Sequence, residues 1–123
     1  MQPLIEAFAA YFRPETYPLL RNLAAARLLT FQAFSHGHCA CPAAAVLGSE
    51  TARALVEMEE FRFDDEPGRI PGTLSRFVRL FDLECCNRAG VEWHRVGSLP
   101  VEQREAIASA VMLEILDQVG AHA

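Results

Sequence analysis

Apolar residues recur along this chain at helical rather than strand spacing. Residues 2–12 predict a short apolar helix that stops before Pro14, because the residue preceding a proline is pushed out of the α region. Thr16 opens a second helix, with Pro18 tolerated in its first turn. Leu19, Leu20, Leu23, Ala24, Leu28, Phe31 and Phe34 then cover most of its circumference, which predicts a central helix or one with a partner. Residues 43–47 read as a helical turn. Ser49 caps a third helix to about Arg62, its face of Ala54, Leu55, Met58 and Phe61 lying opposite Arg53, Glu57 and Glu60.

Two prolines and two glycines make 63–72 a loop. Beyond it Thr73 opens a fourth helix. Leu74, Phe77, Val78, Phe81 and Cys85 repeat at i, i+3, i+4, i+7 and i+11, with Arg76, Arg79 and Asp82 on the other side and Gly90 as the stop. The one stretch with an extended pattern, 91–96, is too short to carry a sheet. Ser98 caps a last helix whose stripe is Ile107, Ala108, Val111, Met112, Ile115, Leu116 and Val119. The prediction is an all-α single domain over 1–123, about five helices in an irregular or orthogonal bundle, with no repeat and no linker.

Composition narrows the class. Of 123 residues, 51% are hydrophobic and 22% charged, which excludes intrinsic disorder. A net charge of −5 works against a nucleic-acid surface. All 11 basic residues are arginine. Without lysine there is no Schiff-base chemistry and no phosphate-loop lysine. The arginine- and alanine-rich usage suits a GC-rich bacterial genome. The start lacks a positive n-region and carries Glu6 within its apolar stretch, so no signal peptide is expected. Four cysteines in a chain able to build a core read as reduced thiols, and the expected compartment is cytoplasmic. Residues 28–49 contain no charged side chain but are interrupted by Gln32, the 36–38 triplet and Pro42, so no membrane span is expected.

The densest chemistry is His36, His38, Cys39 and Cys41, two imidazoles and two thiols within six residues around Gly37. These are ligand types for zinc or an iron–sulfur cluster, and Cys86 or His94 would complete a set of four. The spacing is not that of a zinc knuckle: C-x-C leaves too little chain to wrap a metal, and Cys85 and Cys86, adjacent on a helix, diverge by about 100°. The same loop could pair a thiol with an imidazole base, or sense redox state if a thiol were exposed with a lowered pKa. A second feature is acidic: Glu57, Glu59, Glu60, Asp64, Asp65 and Glu66 fall within ten residues. Such crowding suits a solvated helix end or a docking surface for a basic partner. Trp93, between helices, is either a lid or an interface anchor.

The function these features predict is a small non-catalytic accessory or adaptor protein. It would bind a larger enzyme, or a second copy of itself, through the apolar faces of the second and last helices and through Glu57, Glu60, Asp64, Asp65 and Trp93. A metal-binding protein built on His36–Cys41 is the alternative. A DNA-binding regulator using Arg76 and Arg79 is the third, opposed by the chain's charge.

Overall fold

The structure is a computed structural model, and it describes residues 1–33, 35–36, 38–62 and 74–120, without the side chains of Ser35, His36, Glu60, Phe61 and Arg62. The helices are α1 (Gln2–Tyr11), α2 (Tyr17–Ala25), α3 (Pro42–Leu47), α4 (Ser49–Arg62), α5 (Leu74–Ala89) and α6 (Val101–Gly120). Short 3-10 turns at Pro14–Thr16 and Trp93–Ser98 join some of them. The fold is all-α. Its extended structure among the described residues is a two-stranded antiparallel ribbon, β1 (Ser35–His36) against β2 (Cys39–Ala40), with Ser35 opposite Ala40 and His36 opposite Cys39, and a bridge between Leu29 and Ala40.

Helix α6 is central and packs against α1, α2 and α5, while α5 also packs against α1 and α4. The predicted stripe of α6 faces inward, with Ala108, Val111, Met112, Ile115 and Leu116 fully buried. Across the α1–α5 contact the aromatic rings interlock. Phe8 stacks on Phe12 at 4.8 Å, Phe12 meets Phe77 edge-on at 4.9 Å, and Phe77 stacks on Phe81 at 5.6 Å. Aromatic pairs at such distances contribute roughly 0.5–1.5 kcal/mol each beyond the area they bury. The apolar stripe of the last helix, expected to bind a partner or a second copy, is therefore occupied by the molecule's own core. Among the described residues, the large apolar side chains that remain exposed (Met1, Leu19, Leu28, Met58, Leu83, Trp93 and Val101) come from seven different segments.

The second helix is shorter than its pattern predicts. It ends at Ala25, where Leu28 N–H donates to Leu23 O and Arg27 N–H to Ala24 O, with Arg27 left-handed at φ +58°. That pair of bonds is the Schellman ending, usually built on glycine. Leu29 and Phe31 are buried all the same, but from a loop. An apolar run of this length fits a buried extended segment as well as a helix, so periodicity alone does not separate the two. Phe34 lies outside the described residues.

Four further places differ or agree for visible reasons. The stretch 91–96 is not extended but enters the 3-10 turn Trp93–Ser98. Ser98 does not cap α6: its hydroxyl donates to Arg95 O, and Pro100 O receives the N–H groups of Gln103 and Arg104 instead. Gly90, at φ +70°, ends α5 as predicted, with Gly90 N–H on Asn87 O and Val91 N–H on Cys86 O. Thr73, the expected cap of α5, lies outside the described residues. Glu59 on α4 serves that end, its two carboxylate oxygens taking the N–H groups of Leu74 at 3.2 Å and Ser75 at 2.8 Å. Among the described residues no helix is long and apolar enough to cross a membrane.

Candidate functional site

The irregular segment 26–33 is held to its surroundings by polar bonds rather than by regular structure. Thr30 N–H donates to Ala40 O and Ala40 N–H to Leu28 O. Gln32, left-handed at φ +55°, donates its backbone N–H to Asp82 Oδ1 at 2.9 Å and its side-chain amide to Trp93 O at 2.9 Å. Arg104 of α6 donates from Nη2 to Phe31 O at 2.7 Å, and its guanidinium carbon lies 5.7 Å from the Phe31 ring centroid. Arg104 Nε is buried without a partner among the described residues.

Asp82 is the unusual group. Its helical neighbours at −4, +3 and +4 are Val78, Cys85 and Cys86, so it turns inward and is only 6% exposed, not on the polar side of α5 as the pattern suggested. Burial pushes its carboxyl up to about 7, against the opposing pull of the Gln32 N–H and the Arg104 charge. Among the described residues Oδ1 accepts the Gln32 bond and Oδ2 accepts none. Asp82 lines a partly open cavity of about 330 Å³ with Gln32, Ala33, Cys41, Val56, Glu57 and Val78. The walls among the described residues thus come from Gln32, Ala33 and Cys41, from α4 and from α5, mostly apolar, with two carboxylates and no cationic side chain.

The predicted metal ligands are placed as follows. His38 is exposed. Cys39 is buried, and its thiol donates to Arg27 O at 3.6 Å; burial and the Glu105 carboxylate push it up to about 11. Cys41 is buried two residues on but engages other neighbours. It caps α3, Sγ accepting Ala44 N–H at 3.4 Å, and burial and Asp82 raise it to about 11 despite the helix amides. Cys86 is buried on α5, also raised, with burial the larger cause and Asp82 the lesser. His94 is exposed and pairs with Glu92 at 3.3 Å. The His36 side chain lies outside the described residues. Among those described, no three His, Cys, Asp or Glu side chains come together as a metal site.

The thiol-sensor reading required an exposed, acidified thiol. All four cysteines are buried and all four are raised, with burial the largest cause in each. Of the expected docking residues, Glu57 is exposed at the cavity and Trp93 is 44% exposed. The Glu60 side chain, Asp64 and Asp65 lie outside the described residues.

Asp82 and Arg104 are the residues that sequence reasoning missed. The signal was present: Arg104 stands four before Ala108 and seven before Val111, where the α6 stripe extends backwards. Comparison with known families, with characterised proteins and with solved structures finds no match for this chain.

Proposed function

We propose that this chain is a non-catalytic accessory protein that docks on another protein, and that the docking face is the cleft between the 32–41 loop, α4 and α5. The observation that carries the reading is the cavity itself: a recess of about 330 Å³ with apolar walls from Ala33, Val56 and Val78 and an inward-facing carboxyl from Asp82. Protein interfaces concentrate their affinity where one anchor side chain enters such a pocket and is desolvated. The thiols favour binding over covalent chemistry in this reading, because buried thiols with raised pKa values are poor nucleophiles near neutral pH.

The docking test is capture of a stoichiometric partner from native cells by the intact chain and by two variants. Val78→Arg fills the cleft, and Leu19→Arg sits at an exposed position that does not line it. Thermal melts confirm that both remain folded. Loss of the partner from Val78→Arg alone is the expected result. Equal retention by both variants would move the docking face elsewhere, and no partner for the wild type would remove the reading.

A further inference from the structure

We infer that the cavity at Asp82 is a receptor for a single lysine side chain, presented by the protein that docks there. This rests on the cleft being a docking face and adds what enters it. The geometry has three parts. The recess is lined by methyl-bearing walls that suit an alkyl stem, and its volume of about 330 Å³ accommodates a long side chain. Its lining includes a carboxyl that is 6% exposed, with Oδ2 unpartnered among the described residues. Glu57 adds a second carboxylate to the lining, and among the described residues no lining side chain is cationic. An acid is repelled from such a pocket, and a neutral side chain leaves Oδ2 without a donor.

The choice of ammonium over guanidinium follows from the hydrogen bonds already made. Oδ1 is engaged by Gln32 N–H at 2.9 Å, so Oδ2 is the Asp82 oxygen without a bond among the described residues. Arginine recognises carboxylates best through two parallel bonds, one to each oxygen, and here the second arm of its fork would have to share Oδ1 with the Gln32 N–H. A lysine ammonium is a compact point charge that can engage Oδ2 alone without a fixed two-bond geometry. The chain itself contains no lysine, so a second copy cannot supply this side chain.

The groups around Asp82 set how its charge responds. Arg104 faces it from α6, Glu57 shares the lining from α4, and Cys41, Cys85 and Cys86 surround it as protonated thiols. Without a ligand Asp82 shares its proton with water near pH 7. An entering ammonium requires the ionised form, so binding releases a proton and strengthens as pH rises.

The test uses Nα-acetyl-lysine N-methylamide, titrated into the intact protein while the amide signals of Gln32 and Ala33 are followed by NMR. Nα-acetyl-norleucine N-methylamide, which has the same four-carbon stem without the ammonium, and the arginine analogue are the comparisons. The expected result is a saturable shift of both amides at pH 8, about tenfold weaker for norleucine, as one charge-assisted bond would give. Affinity should fall about tenfold from pH 8 to pH 6, following the ionised fraction of a group titrating near 7. In Asp82→Asn, which keeps an oxygen for the Gln32 N–H, lysine should bind no better than norleucine. Wild-type affinities for lysine and norleucine within twofold of each other would overturn the inference, as would the absence of a saturable shift at pH 8; neither needs a variant. The two readings fail separately. Lysine binding with no captured partner leaves the receptor and removes the docking. A captured partner that survives Asp82→Asn unweakened leaves the docking and removes the lysine.

Discussion

The backbone N–H of Gln32 lies 2.9 Å from Oδ1 of Asp82, fifty residues further along the chain. This bond ties an irregular loop to the inward face of α5, and the Gln32 side chain extends the tie to Trp93 O. Phe31, one residue earlier, is held by Arg104 from α6. Residues 31 and 32 are therefore clamped by α5, α6 and the turn before α6. The cavity wall that Gln32 and Ala33 form is built on these clamps rather than on helix geometry.

Arg27 and Gln32 both occupy the left-handed region, where an L side chain costs roughly 1–2 kcal/mol, and they should respond differently to glycine. Arg27 is exposed, and the bonds made there use only backbone atoms. Arg27→Gly should raise stability by about 0.5–1 kcal/mol, strain relief exceeding the entropy glycine adds to the unfolded chain. Gln32→Gly gains the same relief but loses the bond to Trp93 O, and should come out near neutral. Urea denaturation of both variants checks this, and a destabilised Arg27→Gly would contradict the assigned helix end.

Glu59 takes two of the free N–H groups at the start of α5, and a negative charge there also meets the positive end of the helix dipole. Glu59→Ala should cost about 1–2 kcal/mol, and Glu59→Gln less because one acceptor oxygen remains. Faster amide exchange at Leu74 and Ser75 should accompany the loss. A change under about 0.3 kcal/mol in Glu59→Ala would mean that the bond contributes nothing net.

How far the pattern of residues revealed the molecule depends on who performs each local task. The stripes of α5 and α6 were legible because Phe77, Phe81, Val111 and Ile115 repeat at the helical period and face the core. Gly90 was legible because glycine is the usual residue at a left-handed helix end. The end of α2 was not, because Arg27 does there what glycine usually does. A ribbon of two-residue strands carries too few positions for alternation to show. The crowding of His36, His38, Cys39 and Cys41 suggested one site, yet Cys39 turns to Arg27 O and Glu105 while Cys41 turns to Ala44 N–H and Asp82. Nearness in sequence did not become convergence of thiols. Asp82 and Arg104, the two polar residues drawn into the interior beside the loop, were hidden because polar types at the margins of apolar stripes are ordinarily solvated.

The thiols give a direct chemical check on that arrangement. With Cys39 and Cys41 raised to about 11 and all four buried, alkylation by iodoacetamide at pH 7.5 should run at least roughly a hundredfold slower in the folded protein than in guanidinium. Mass spectrometry of labelled peptides assigns each rate. Rapid labelling of Cys39 or Cys41 in the folded state would contradict their burial and revive a sensing role.

Asp82 should make stability fall as pH rises through the range below 7. Its carboxyl is raised in the folded protein, from an ordinary value of 3.8 to about 7, so the folded state holds a proton that the unfolded state has released. The folded form is thus favoured most at low pH, progressively less above about 4, and the loss is complete once Asp82 ionises above 7. Between pH 5 and pH 8 this group alone should remove roughly 2–3 kcal/mol. Asp82→Asn keeps the acceptor for Gln32 N–H and cannot ionise, so its stability relative to wild type should improve by that amount over the same interval. Parallel pH dependences for the two proteins would show that Asp82 is not raised.

Arg104 opposes that rise, and the opposition can be isolated. It donates to Phe31 O, and its charge holds Asp82 lower than burial alone would. Arg104→Met keeps a flexible apolar stem but removes both effects. Losing the donor leaves a buried carbonyl unpaired and should cost about 1–3 kcal/mol at any pH. Losing the charge lets Asp82 titrate above 7, adding a second cost that appears only at alkaline pH, where an unopposed buried carboxylate would form. The two costs separate in a double-mutant cycle with Asp82→Asn. The coupling between the sites should be large at pH 8, where Asp82 is ionised, and small at pH 5, where it carries its proton. The NMR titration of the Asp82 carboxyl carbon in Arg104→Met should shift upward in step. Equal coupling at both pH values would mean that the two residues interact through packing around Phe31, and that the charge of Arg104 plays no part in setting the state of Asp82.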